Sequence, residues 1–225
     1  MQIRHLLFDM DNTLYPASSA MDRGISERMS RFVADFIGVP LEEGSRLRRA
    51  GLESCGTTLG WLCRDYGLTD TEAFFAAVHP ASEIAELDFD PELRPFLESL
   101  DMPMTVLTNA PYVHAERVLR FFNILDLFTG VHTIESNSLC GKPYAQAYYT
   151  AVRSAGYTIE DTAFFDDHLK YIDGYVQLGG VGVWVRPDSG SEIPEHAKAY
   201  PHLPSIYQIP QVLGPHLVKN NIKRP

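Results

Sequence analysis

The sequence predicts an α/β fold, a parallel sheet flanked by helices, with a helical subdomain inserted after the first strand. Three observations predict it. A short apolar run, Leu6 to Phe8, ends abruptly in Asp9, Asp11 and Asn12, as a buried strand does when it delivers a polar loop. Residues 16–88 show helical periodicity and offer no strand candidate. From Pro91 onward, short apolar runs alternate with helical segments, the pattern of a parallel sheet with crossover helices.

Within the insert, Ile25, Met29, Phe32, Val33 and Phe36 recur at three- and four-residue steps and predict a helix over residues 21–39. Residues 41–49, 59–66 and 71–78 predict three more. Beyond it, helices are expected at 91–100, 113–122 and 144–155, and strands at 104–107, 131–134, 163–165 and 181–185. Pro201, Pro204, Pro210 and Pro215 exclude one long helix over residues 199–218, leaving a brief strand at 205–207 and a helical turn at 211–213. The expected organisation is a core of residues 1–15 and 89–225 with a helical subdomain of residues 16–88.

A chain of 225 residues is longer than a domain of roughly 150 and shorter than two, as one core carrying an insert should be. Its 45% hydrophobic and 21% charged residues suit a globular protein with a real core. The net charge of -10 argues against a nucleic-acid polymer or an anionic membrane surface as partner. A small anionic substrate is compatible if a metal and a few placed cations reverse the field locally. Cys55, Cys63 and Cys140 match neither a zinc site nor a disulfide framework, so a cytoplasmic location is expected. The apolar stretch at residues 3–8 is broken by Arg4 and His5 and too short for a signal peptide, no later run reaches membrane-span length, and Lys219, Lys223 and Arg224 read as a tail.

Four groups of residues carry the chemistry. Asp9 and Asp11, two apart at a strand end, point to the same side and can hold a metal or divide the roles of nucleophile and proton donor. Thr108 and Asn109 follow the second core strand, where a hydroxyl, an amide and free backbone N–H groups can grip a phosphate. Lys142 lies between Gly141 and Pro143 before a helix. Asp166 and Asp167 end a later strand, where adjacent carboxylates repel unless a cation or a proton is shared. Singly, these groups read as a capped turn, a helix cap, a surface lysine and a solvated acidic turn. Together, four strand ends bear acid, hydroxyl, lysine and acid pair in that order.

In that order, with Asp9, Asp11 and Thr13 forming Asp-x-Asp-x-Thr, they resemble the four motifs of the haloacid dehalogenase (HAD) superfamily of hydrolases, spanning residues 9 to 167. The helical insert is similar to that superfamily's type 1 cap. The resemblance implies a Rossmann-like core and a Mg²⁺-dependent phosphatase acting on a small phosphorylated metabolite. It makes Asp9 the nucleophile and Asp11 the group that protonates the leaving oxygen and later activates water. Mg²⁺ would be held by Asp9, the Asp11 backbone carbonyl and Asp167, with Asp166 acting through water; Thr108, Asn109 and Lys142 would bind the phosphate. Loss of any one is expected to lower turnover more than stability. A haloacid dehalogenase would need neither Asp11 nor the acid pair. A phosphoglycolate or sugar-phosphate phosphatase, a phosphomutase and a non-catalytic binding protein are the alternatives.

The run from Thr108 to Leu119, together with Gly56, Thr57, Thr58 and Leu59 and with Leu14, Tyr15 and Pro16, resembles the pyrimidine 5'-nucleotidase-like branch, which implies a nucleoside 5'-monophosphate such as UMP or CMP. His168 and Tyr171 depart from it, standing where Ser and Asn are usual; His168 reads as a polar neighbour of the acids or a surface residue before it reads as a cofactor ligand. Thr57, Thr58 and Trp61 are candidate leaving-group contacts, with a core role as the other reading of Trp61. Tyr112 and His114 are expected to pack or cap rather than react.

Overall fold

The computed structural model describes residues 2–16, 20–186 and 192–217. Six strands form one sheet: β1 (His5–Phe8), β2 (Met104–Leu107), β3 (Gly130–His132), β4 (Thr162–Asp166), β5 (Val181–Val185) and β6 (His202–Leu203). Their spatial order is β3-β2-β1-β4-β5-β6 and every pairing is parallel. This is the Rossmann-like α/β core that the alternation of elements predicts. The order reverses between β1 and β4, and in open parallel sheets ligands bind in the crevice at the carboxyl ends of such a pair.

The central strands are buried on both faces, so they read as mostly apolar rather than alternating, with His5, Thr105 and Thr162 as buried polar members. Leu6, Phe8, Val106 and Phe165 face α5 (Leu93–Ser99), α6 (Tyr112–Phe121) and α9 (Ile209–Leu213). Leu7, Leu107 and Phe164 face α7 (Ala145–Ser154) and α8 (Leu169–Val176).

Between β1 and α5 lie α1 (Ala20–Ile37), α2 (Leu41–Cys55), α3 (Thr58–Tyr66), α4 (Thr71–Val78) and a 3-10 turn, Ala81–Glu86, with no strand among the described residues. These helices share a core of their own, including Val33, Trp61, Leu62, Phe74 and Phe75, which extends onto Ile134 beyond β3. Trp61 lies against Gly51, where an added Cβ would fall 2.1 Å from the indole, so its role is packing.

Four details differ from expectation. The strand expected at 131–134 ends at His132, because Ser136 Oγ accepts from Thr133 N–H and the chain turns through Glu135–Asn137. Residues 205–207 form no strand: Ser205 Oγ accepts from Tyr207 N–H and caps a 3-10 turn, Ile206–Gln208, so the last strand falls earlier. α2 runs six residues past residue 49, to Cys55. α8 escaped the sequence reading because Asp173 and Gly174 interrupt its periodicity; a Cβ on Gly174 would lie 2.9 Å from Pro143. Val218 and the basic tail lie outside the described residues, among which no helix is long and apolar enough to cross a membrane.

His5 is a polar residue inside the central sheet. Its Nδ1–H donates to Thr162 Oγ1 at 3.1 Å, since that hydroxyl's own proton goes to the Thr158 carbonyl. Nε2 then accepts from Thr105 Oγ1 at 2.9 Å, and Tyr157 stacks on the ring. Burial lowers His5 from 6.5 to about 4, so the folded chain holds it neutral. Between those values the unfolded chain binds the proton that the native state refuses, and stability falls as pH drops through this window, by about 3 kcal/mol once both forms are protonated. In urea unfolding, His5→Gln should lower stability at neutral pH but flatten the loss between neutral pH and about pH 4.5. An unchanged slope would show that His5 is not the group responsible.

Candidate active site

The site forms where β1 and β4 end. Asp9 is aligned by its own N–H, which donates to the Phe165 carbonyl at 2.8 Å. Lys142 Nζ stands 2.7 Å from Asp9 Oδ1 and 2.6 Å from Asp166 Oδ2, and its side chain is 1% exposed. Asp166, fully buried, also accepts from the His168 N–H at 2.7 Å. Lys142 lies not at a strand end, as its place in the motif order suggested, but in the loop beyond β3.

Asn109 holds that loop. Its Oδ1 accepts from Lys142 N–H at 2.7 Å and its Nδ2 donates to the Lys142 carbonyl at 2.9 Å. The approach is so close that a Cβ on Gly141 would lie 2.0 Å from Asn109 Oδ1. The carboxamide expected to grip phosphate is therefore engaged in placing the lysine. Thr108 Oγ1, also buried at the site, accepts from Ala110 N–H, which leaves its hydroxyl proton to donate.

Asp11 follows through a tight turn in which Asn12 takes a left-handed φ of 60°, a conformation asparagine tolerates. Asp11 Oδ1 accepts both from the Tyr15 hydroxyl and from His114 Nε2, the latter at 2.9 Å. Behind the ring, His114 Nδ1 lies 2.9 Å from Glu83 Oε1, an ion-pair contact out of line for a hydrogen bond. Glu83 also meets His79 Nδ1 at 3.0 Å and Arg117 Nη1 at 3.2 Å. Burial works against charge on both Asp11 and His114, yet their contact wins: Asp11 is held down at about 2 and His114 raised to about 9.

His114 is packed, as expected, against His79, and its ring is in addition bonded to Asp11, which the sequence reading did not anticipate. Its signal in the sequence was a histidine on the face of α6 that also carries Ala115, Val118 and Leu119. Tyr112, by contrast, is exposed. Nothing local marked Glu83 or His79, which reach the site through the return from the helical segment.

A cavity of about 330 Å³ opens over these groups. Its far wall comes from the helical segment, including Thr58, Phe75 and Arg48. Thr57 Oγ1 also caps α3 by accepting from Gly60 N–H. The Arg48 guanidinium donates to Ser26 Oγ, Ser30 Oγ and Met29 Sδ, all neutral acceptors. Tyr171 ties this wall to the core: its hydroxyl donates to the Gly56 carbonyl at 3.2 Å, and its ring stacks on His168 and lies 5.0 Å from Lys142 Nζ. The two residues that depart from the nucleotidase-like pattern therefore stack on each other, and His168 is 56% exposed with Nδ1 3.0 Å from Asp167 Oδ1.

The electrostatics fit a divalent cation. Burial pushes the Asp9 carboxyl well up, Lys142 pulls it down, and Asp166, Asp167 and Asp11 push it up again. Lys142 and the His168 imidazole, which Asp167 raises to about 9, face these carboxylates, and Asp167 Oδ1, 3.0 Å from His168 Nδ1, has no aligned hydrogen bond. Hard oxygen donors are the donor set of Mg²⁺; Asp9, Asp11 and Asp167 line the cavity and Asp166 lies against Lys142, so these are the residues that could hold it.

Because Lys142 alone separates Asp9 from Asp166, its loss should affect folding as well as turnover, against the expectation from the motif. Lys142→Met should destabilise the chelator-treated protein by about 3–5 kcal/mol in urea unfolding. The loss should be larger at about pH 8 than at about pH 5, where the abandoned carboxylates can take protons. Wild-type stability in the variant would show that the ion pairs contribute nothing net.

The sequence profile of the haloacid dehalogenase-like hydrolases matches residues 3–179. Phosphate metabolism protein 8 of Saccharomyces cerevisiae is 25% identical over 187 residues, covering 76% of this chain and 58% of the yeast protein, so this chain spans little more than half of that relative. In structure the chain is similar to a HAD phosphatase from Thermococcus onnurineus, with a TM-score of 0.67 at 16% identity over 95% of this chain and 98% of the other. It is also similar to L-2-haloacid dehalogenase from Xanthobacter autotrophicus, with a TM-score of 0.62 at 15% identity over 95% and 99%. Fold neighbours thus include both phosphatases and dehalogenases, and the nucleotidase-like branch is not singled out. With the profile matched over most of its length and the fold shared, the chain belongs to the haloacid dehalogenase-like hydrolase family.

Proposed function

We propose that this hydrolase is a Mg²⁺-dependent phosphatase that cleaves a small phosphate monoester through a phosphoryl group carried on Asp9. The observation that supports it best is the surplus of carboxylate around Lys142 at the ends of β1 and β4, with Asp11 bonded as a separate proton-handling acid. A dehalogenase reading leaves Asp11 and the acid pair without a task. The yeast relative's name, a phosphate metabolism protein, leans the same way.

An Asp9 carboxylate oxygen bonds to phosphorus as the bond to the leaving oxygen breaks, and that oxygen takes the proton from Asp11. Water then gives a proton to Asp11 while its oxygen bonds to phosphorus, releasing phosphate and restoring Asp9. Asp11 starts ionised, and a bound phosphate dianion beside it raises its proton affinity by like-charge repulsion. Lys142 and the Thr108 hydroxyl stabilise the transferring oxygens. Mg²⁺, when bound, supplies charge neutralisation and alignment of the phosphate.

Residues 16–88 act in this reading as a cap that keeps bulk water from the first step. Arg48 and Ser26 would meet acceptor atoms of the leaving group, which suits a nucleoside 5'-monophosphate such as UMP or CMP. The setting proposed is the cytoplasm.

Hydrolysis of p-nitrophenyl phosphate should require Mg²⁺ and vanish in Asp9→Asn, which should fold at least as stably as wild type because one crowded carboxylate is gone. A screen of nucleoside monophosphates, phosphoglycolate and sugar phosphates should find UMP or CMP among the better substrates. Equal turnover by wild type and Asp9→Asn would end the catalytic reading; turnover of another ester with no nucleotide activity would end the nucleotide reading alone.

A further inference from the structure

The phosphatase reading needs Asp11 to present a proton to the leaving oxygen, and the structure determines which of its oxygens can do so. A carboxylate oxygen has two lone-pair sites. On Asp11 Oδ1 they meet the Tyr15 hydroxyl and His114 Nε2–H, whereas Oδ2 has no hydrogen-bond partner among the described residues. A proton taken up by Asp11 therefore resides on Oδ2.

His114 is well placed to enforce this. It is wholly buried, packed at 4.3 Å between ring centroids against His79, and its Nδ1 touches Glu83 Oε1. Glu83 is in turn fixed by His79 and by Arg117 from α6, with Arg28 Nη2 at 4.0 Å. Arg117 and the two imidazoles thus surround Glu83, with the His114 Nδ1 contact out of line for a hydrogen bond. Glu83 also lies on Ala81–Glu86, the turn through which the chain returns from the helical segment to the core.

Resting on the phosphatase reading, we infer that His114 is a positioning residue: with Glu83 behind it, it occupies Asp11 Oδ1 and so keeps the acid proton on Oδ2 for the leaving oxygen. The chain Glu83, His114, Asp11 thereby ties the base of the helical insert to the proton donor. Substitution of groups that hydrogen-bond and orient metal ligands commonly costs about 10–100-fold in affinity or activity, and a loss of that order is expected for a group that orients the acid.

The test exploits side-chain reach. Gln at position 114 carries its amide nitrogen about where Nε2 stands, whereas Asn stops a bond short. The full-length protein with Mg²⁺ is assayed for kcat/KM on p-nitrophenyl phosphate, whose leaving group hardly needs a proton, and on glycerol phosphate, whose alkoxide does. His114→Asn should lose about 10–100-fold on glycerol phosphate and less than about threefold on p-nitrophenyl phosphate, and His114→Gln should restore most of the lost activity. Equal losses on both esters, or a Gln variant no better than Asn, would overturn the inference while leaving the phosphatase reading intact. Should His114→Asn fail to fold, Glu83→Gln replaces it, with the same ester-selective loss expected and an equal loss again contradicting it. A wild type inactive on both esters removes the phosphatase reading and this inference together.

Discussion

One buried ammonium, Lys142 Nζ, holds two carboxylates that would otherwise repel across the ends of adjacent strands. A charge this deep is tolerated only when paired and fixed, and the surroundings supply both conditions. Asn109 clamps the lysine's backbone from one strand end, Gly141 lets it approach, Gly174 admits Pro143 from behind, and the Tyr171 ring faces the ammonium. Asp9, Asn109 and Asp166 emerge from the common edge of the parallel sheet, and the loop beyond β3 brings Lys142 to them. Asp167, next in the chain to Asp166, turns one oxygen to His168 Nδ1 at 3.0 Å without an aligned hydrogen bond.

A second constraint separates the two acids of the first loop. Asp9 faces Lys142, whereas Asp11, two residues on, faces Tyr15 and His114. Partners of different charge and hydrogen-bonding power push the proton affinities of the two carboxyls apart, which is how neighbouring acids come to serve different chemistry. Tyr15 lies within the same local turn, but His114 comes from α6 and Glu83 from the return of the insert, so the second acid is tuned by parts of the chain that meet only after folding.

That distinction also explains what the sequence could show. The sheet and the helices after its first strand were legible because buried parallel strands give short apolar runs such as residues 6–8, and the helices between have strong periodicity. The acids and Thr108 were legible as polar residues after apolar runs, and Lys142 only by its place in the order of motifs. Asn109 was visible but its task was not, since a carboxamide that binds backbone and one that binds phosphate look alike in sequence. α8 was lost to Gly174, whose reason is contact with Pro143, and the strand at residues 205–207 was displaced by a hydroxyl competing for a backbone N–H. His79 lies only four residues from Glu83, but the rest of that network was invisible because Arg28, His114 and Arg117 are separated from Glu83 by dozens of residues.

The protein is mixed with Mg²⁺ and a phosphate monoester, quenched in acid within the first turnover, digested, and its peptides weighed. The account predicts a phosphoryl group on the peptide carrying Asp9, lost again when turnover is allowed to finish. Phosphate release with that peptide never modified, or an ester to substrate carbon at Asp9, would contradict it.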